Sequence, residues 1–370
     1  MKLMVKSRPV VVHILSELLP SGMEAMLACA ARDEWMSEWD HRIIATGRTT
    51  GEYAAVLADH GYRIEHVPFR KSPIFFFELW RTIRACKADI VHIHTEGASF
   101  YSSLTGLAAG ARCVRTVHNQ FEFEGWLRMV RSAQRRIMGC LGVIFCAVSP
   151  RVAENERSRF GQDMRVVENW YDDQIFYPAS PAIRQAARER LGLDDAFVII
   201  SVGNCNGVKN HELIIQALSH PRLMARNLVY LHCGRETADR EEAALALSMG
   251  VADKIRFLGA VSDVVGHLAA ADAFVASSFY EGASIALLEA AATGLPCIST
   301  DVGIADRFAD FEAMTLTDFE VEDLANAIAD RMDGKSPPCR SLSDHVARTY
   351  GAEVGPKRYL AIYAEALAPS

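Results

Sequence analysis

Two glutamates eight positions apart, Glu281 and Glu289, bracket a short loop and the start of an apolar helix. The run Ala273–Ala276 reads as the strand leading into this loop, which also holds Gly282. Ser284 can cap the helix that follows. The free N–H groups of such a helix start, here around Ser284 and Ile285, suit an anion, and a carboxylate can hold paired sugar hydroxyls. Two surface glutamates on a solvated helix would share this spacing. Glu289, however, is flanked by Leu287, Leu288 and Ala290 to Ala292. A carboxylate in so apolar a run more often has a reason to be there.

A second segment runs from Ile199 to His211. A strand ends at Gly203 and Asn204, and Lys209 follows at a helix start. That arrangement suits a diphosphate, although the G-K-[ST] ending of a Walker A loop is absent. A solvated lysine at a strand–helix turn is the commoner situation. In the first half, Gly22 opens a helix after the first strand, and a strand from Val114 ends at His118 and Asn119. A strand histidine is usually a satisfied core residue, and His13 and His92 read that way. His94 and Glu96, at another strand end, are weaker candidates for an acceptor site.

Taken in order from Ser21 to Pro296, these segments resemble glycosyltransferase family 4, retaining enzymes of the GT-B fold. Glu281 to Glu289 is similar to the family's E-x7-E region, with Ser284 at the place of its second glycine. Lys209 follows Gly203 at the family spacing, and Asn204 stands where arginine is usual. Ser21 and Gly22 occupy the glycine pair of the G-G-x-E-R loop. Val114 to Asn119 resembles the T-x-H segment. Asn169, Asp172, Phe176 and Pro178 match the N-G-V-D…F-x-P hinge, with Trp170 replacing glycine.

The resemblance implies a role for each position. Lys209, Gly203, Asn204 and the N–H groups at Gly22, Gly282, Ser284 and Ile285 would meet the donor phosphates. Glu289 would hold the ribose, and His118 and Glu281 would position the donor sugar. Transfer would proceed with retention by a dissociative front-face route, with no enzyme-bound glycosyl intermediate, no cofactor and no metal. A UDP- or GDP-sugar would be the donor and a glycan or lipid-linked acceptor the recipient, in polysaccharide or glycolipid synthesis. A nucleotide-sugar epimerase or hydrolase of the same fold, or a non-catalytic nucleotide-sugar binder, are the other readings. A nicotinamide-dependent dehydrogenase is disfavoured because no G-x-G-x-x-G follows a strand.

These residues need a scaffold. The 370 residues favour two domains. Short aliphatic runs alternate with helical patterns: Val10–Leu15, Arg42–Thr46, Ile90–His94, Val114–His118, Val143–Val148 and Arg165–Val167, then Val198–Val202, Leu228–Cys233, Ile255–Leu258, Ala273–Ala276 and Cys297–Thr300. Such alternation predicts an α/β class with parallel sheets. The expected architecture is GT-B: two Rossmann-like halves facing each other across a cleft. The expected domains are residues 1–178 for the acceptor, 179–345 for the nucleotide sugar, and a C-terminal helix in 346–370 that returns to the first half. The prolines around Tyr177–Pro181 mark the linker.

Composition narrows the rest. A net charge of −7 gives no basic field for nucleic acid. Nine scattered cysteines without a C-x-x-C pair read as free thiols rather than a zinc site. Lys2, Lys6 and Arg8 precede an apolar run too short for a leader or a membrane span. A cytoplasmic protein, peripheral on the inner membrane face, is the expectation. The segment Trp126–Ile137 carries Arg128, Arg131, Arg135 and Arg136 between apolar residues. It suits either a helix resting on anionic lipid or a solvated helix with one buried face.

Overall fold

A computed structural model describes residues 8–334 and 340–368, so Lys2 and Lys6 lie outside the described residues. The chain divides into two compact units, residues 1–170 with 352–370, and residues 171–351. The first holds strands β1 (Val10–Leu15), β2 (Asp40–Ala45), β3 (Arg63–His66), β4 (Ile90–Ile93), β5 (Arg112–Val117), β6 (Ile144–Ala147) and β7 (Arg165–Val166). The second holds β8 (Phe197–Val202), β9 (Leu228–Cys233), β10 (Ile255–Phe257), β11 (Ala273–Ala276), β12 (Cys297–Thr300) and β13 (Met314–Thr317). All pairings within these ladders are parallel.

The strand orders are β3-β2-β1-β4-β5-β6-β7 and β10-β9-β8-β11-β12-β13. Both are doubly wound, and each reverses direction beside its first strand, where ligands bind in such sheets. The edge strands β3 and β13 were not legible as strands. β3 is largely exposed and carries Arg63, Glu65 and His66, so it lacks the buried alternation that marks a strand. β13 is short, with two threonines among its four residues.

In the first unit, side-chain alternation sorts the two faces of the sheet. Val10, Val12, Ile14, Ile44, Val91, Ile93, Cys113 and Phe145 share one core with Phe75, Leu79 and Ile83 of the helix Pro73–Cys86. The register pairs His13 with Ile43 and with His92, which puts His13, His41 and His92 on the other face. Met23, Met26 and Leu27, Trp35, Trp170 and Tyr359 close over that face.

The division between units falls at 170/171, ahead of the expected 178, and the chain rejoins the first unit at 352 rather than 346. Trp170 explains the first boundary. It is 1% exposed, its indole N–H donates to the Met26 carbonyl at 3.0 Å, and it meets Tyr359 edge-on. The next residue, Tyr171, instead takes the Tyr350 carbonyl at 3.1 Å within the second unit. The helix Gly355–Leu367 belongs to the first unit because Tyr359 and Tyr363 bury their hydroxyls against Thr116 and His92.

Candidate functional site

In the second unit the loops after β8 and β11 flank the point where strand order reverses. They meet through an ion pair. Lys209 Nζ lies 2.5 Å from Glu281 Oε1, and Ser278 Oγ donates to the same oxygen at 2.8 Å. Ser277, buried, donates to the carbonyls of Lys209 (3.1 Å) and Asn210 (2.8 Å), tying one loop to the other. Asn206 Oδ1 accepts from the N–H groups of Val208 and Lys209, both at 3.0 Å, and sets the turn that presents the lysine. A β-carbon at Gly203 would stand 3.3 Å from Lys209 Cε, so the glycine leaves room for the lysine stem. Asn204 Oδ1 accepts from the N–H of Arg235 at 2.9 Å, at the end of β9. Sequence reading missed Asn206, Ser277, Ser278 and Arg235. An asparagine before a glycine turn was the one available signal.

Ser284 caps the helix Ile285–Ala292, accepting from Leu287 N at 3.4 Å, and Gly282 is buried beside it. Glu289 lies within this helix. Burial pushes its carboxyl up to about 8, and the Asp172 carboxylate pushes the same way. Desolvation, which disfavours the ionised carboxylate, is the larger of the two causes. Asp172, in the hinge segment, is a neighbour that sequence spacing could not supply.

In the first unit, Ser21 caps the helix that Gly22 opens, accepting from Met23 N at 3.3 Å, and its hydroxyl donates to Glu24. His118 follows β5 and bonds through Nε2 to His94 Nδ1 at 3.0 Å. Burial holds His118 down to about 4, so it is neutral at ordinary pH. His13 and His92 are buried, as core residues, yet both bond through their rings. Among the described residues His13, His92 and His94 bring potential ligand atoms within 4.8 Å of one another. All six of their ring nitrogens already have protein partners: one another, His41, His118, Thr116 or Tyr363. That donor set fits a hydrogen-bond network better than an open metal site.

One expectation needs correction, and an ion network around Glu96 is the reason: Glu96, 15% exposed, takes Arg115 and lies 3.3 Å from Arg135, while Arg135 Nε donates to Glu156 at 2.5 Å. Arg115 and Glu156 are fully buried, so each charge requires the others. The same network removes Arg135, 1% exposed, from any membrane face. In the helix Gly125–Cys140, Arg128 and Arg136 stay exposed beside Trp126 (76% exposed) and Met129 (63%), while Arg131 leans over the Phe123 ring at 5.4 Å. An apolar groove of about 430 Å³ lined by Phe77, Trp80 and Tyr101 lies on the helices covering the sheet face opposite the histidines. It is therefore separate from His118.

Residues 183–346 match the family described as Glycosyl transferases group 1, and residues 11–175 match Glycosyltransferase Family 4. EpsD of Bacillus subtilis (strain 168) is 26% identical over 288 residues, covering 72% of this chain and 73% of its own. The Escherichia coli UDP-Gal:alpha-D-GlcNAc-diphosphoundecaprenol alpha-1,3-galactosyltransferase is 26% identical over 278 residues, 70% of each chain. The crystal structure of a glycosyltransferase from Rickettsia africae ESF-5 shares the fold, with a TM-score of 0.85 over 99% of this chain and 100% of its own at 18% identity.

Proposed function

The chain belongs to glycosyltransferase family 4 and is a glycosyltransferase, and on that premise we propose that it moves a sugar, with retention, from a UDP- or GDP-sugar to a glycan or lipid-linked acceptor. The observation that carries this reading is the Lys209–Glu281 pair at the strand-order reversal of the second sheet, beside the helix capped by Ser284. Negative charge grows on the departing diphosphate, and stabilising it is the main electrostatic task. The Lys209 ammonium and the N–H groups at Ser284 and Ile285 serve that charge, and Gly203 lets the backbone approach it. Glu281 orients the sugar once the lysine turns to phosphate. Glu289 holds the ribose hydroxyls, and as a protonated carboxyl near neutral pH it can donate as well as accept. Gly22 and His118 of the first unit are the candidates for phosphate and sugar contacts on the family resemblance. The acceptor proton passes to a phosphate oxygen.

The name of the galactosyltransferase relative joins a UDP-sugar to a diphosphoundecaprenol-linked acceptor, which supports the same classes here. No described helix is long and apolar enough to cross a membrane. Contact with such an acceptor would use the exposed Trp126, Arg128, Met129 and Arg136 against anionic lipid. A thermal-shift screen against UDP-, GDP- and ADP-sugars tests donor binding, since a ligand of the native state raises its stability. Labelled donor with lipid extract then tests transfer, and NMR of the product tests retention. No stabilisation by any nucleotide sugar ends this reading. Donor consumed without acceptor moves it to an epimerase or hydrolase.

A further inference from the structure

Four histidines of the first unit form one continuous row. His118 Nε2 meets His94 Nδ1 at 3.0 Å, His94 Nε2 meets His13 Nδ1 at 3.1 Å, and His13 Nε2 meets His41 Nδ1 at 2.9 Å. The strands dictate the row. β2, β1 and β4 are neighbours, their register places His41 and His13 on one face, and His94 and His118 follow β4 and β5 directly. The space among these rings and their covering side chains is too small for a water molecule, so the nitrogens satisfy one another. His92 stands aside, bonded to Tyr363 (2.5 Å) and Thr116 (2.7 Å).

Every link joins Nε2 of one ring to Nδ1 of the next. Burial lowers the proton affinity of all four rings, so each carries one N–H. A neutral imidazole donates with one nitrogen and accepts with the other. The row therefore has two self-consistent states: all four rings protonated on Nε2, or all four on Nδ1. A mixed row would set two lone pairs or two protons face to face. The far end decides between them. His41 Nδ1 is taken by His13, and Nε2 is buried with no partner within hydrogen-bond distance; the Trp35 backbone raises the proton affinity of the ring, which with Nδ1 occupied favours a proton on Nε2.

We propose that His41, His13 and His94 are positioning residues that hold His118 in its Nε2–H tautomer, so that His118 Nδ1 offers a lone pair to a hydroxyl of the donor sugar. With His41 carrying its proton on Nε2, its Nδ1 accepts from His13. His13 Nδ1 accepts from His94, and His94 Nδ1 accepts from His118 Nε2–H. His118 Nδ1 has no partner among the described residues and is left as an acceptor. A sugar hydroxyl at that atom donates, which selects the orientation of the ring and of the hydroxyl. The sugar contact rests on the donor-site reading above, whereas the tautomer does not.

The test is a two-bond ¹H–¹⁵N correlation spectrum of ¹⁵N-histidine protein at neutral pH, without ligand, assigned through single His→Gln variants. The expected result is the Nε2–H form for His118, His94, His13 and His41 alike. His118 in the Nδ1–H form, or a row of mixed tautomers, overturns the proposal, as does stoichiometric zinc or nickel retained by the protein as purified. His41→Phe removes the end that sets the polarity. His118 should then shift towards Nδ1–H, and kcat/KM for the donor should fall about tenfold, the loss of roughly one hydrogen bond. His41→Gln, which can still donate and accept, should restore both. A His41→Phe protein that is merely less stable, with the His118 tautomer unchanged, also overturns the proposal. If the tautomers are as expected but His118→Ala transfers sugar at the normal rate, the row stands and the donor-sugar role of His118 falls.

Discussion

Lys209 Nζ sits 2.5 Å from Glu281 Oε1, joining loops 72 positions apart in the chain. The cation assigned to the donor diphosphate is thus already neutralised by the carboxylate assigned to the donor sugar. In the proposed site a diphosphate competes with Glu281 for the Lys209 ammonium, and weakening that contact leaves the carboxylate for hydroxyl groups. On that proposal, binding and orientation are coupled through this contact.

That coupling separates two variants. Lys209→Ala should lower turnover by about 10²–10³, the usual cost of removing a group aimed at developing charge. Glu281→Gln should also lower turnover, yet it frees the ammonium, so nucleoside diphosphate binding should tighten in calorimetry. Weaker nucleotide binding in Glu281→Gln would mean that the carboxylate does not compete with phosphate for Lys209.

Glu289 predicts a pH-dependent cost to stability. Its folded-state pKa is raised from 4.5 to about 8 by burial and by Asp172. Between those values the folded state binds more protons than the unfolded one, so stability falls as pH rises through this window and levels off above it. The loss is about 1.4 kcal/mol for every pH unit the window spans, a total of a few kcal/mol. Glu289→Gln should match the wild type in urea unfolding below the window. It should be the more stable protein above it, while losing transfer activity throughout. Equal stability at both ends would show that the carboxyl is not desolvated.

The buried histidines predict the opposite slope on the acid side. His13 is lowered from 6.5 to about 3 and His118 to about 4, with His41, His92 and His94 also well below 6.5. Here the unfolded state takes up protons first, so stability is lost as pH falls below 6.5. The shifts share one sign, so the rings together steepen the loss as pH falls. Circular dichroism should show acid unfolding of the first unit that begins well above the carboxylate range. A protein with unchanged stability down to the carboxylate range would contradict the burial of this row.

Trp170 and Gly355 predict strong non-additivity. A β-carbon at Gly355 would lie 2.5 Å from Trp170 Cβ and 2.7 Å from its ring. Trp170→Gly should cost at least the ~3–5 kcal/mol typical of losing a buried tryptophan side chain to alanine. Gly355→Ala alone should also destabilise. The double variant should fall short of the sum by about 1–3 kcal/mol, because the tryptophan that clashed is gone. Additive melting data would rule out this close approach.

For the lipid surface, Trp126→Ala with Met129→Ala, or Arg128→Glu with Arg136→Glu, should reduce co-sedimentation with vesicles rich in phosphatidylglycerol and leave the melting temperature near the wild-type value. Arg135→Ala should instead destabilise the protein, since it strands Glu156. Unchanged vesicle binding in both surface variants would remove this helix from the membrane reading.

Much of the molecule was legible in the chain itself. Strand–helix alternation marked the central strands because these are β-branched and buried on both faces, and β8, β9 and β11 fall where the apolar runs lie. The Ser284 cap and the apolar setting of Glu289 are local, so the sequence contains them. The edge strand β3 escaped because an exposed strand carries no periodic apolar signature, and β13 because two of its four residues are threonines. The arginine-rich helix could not be resolved by pattern alone: Arg128, Arg135 and Arg136 look alike in sequence, and only packing against Glu156 buries one of them.

By itself the sequence determined which residue types stand at the ends of which strands, because those depend on neighbours a few positions away. Tertiary structure alone decided which of them meet. It paired Lys209 with Glu281, set Asp172 near Glu289, fitted Gly355 against Trp170, and aligned His118, His94, His13 and His41 in one row. Strand order and register are global properties of a sheet, and a contact between residues far apart in the chain exists only once the sheet has formed.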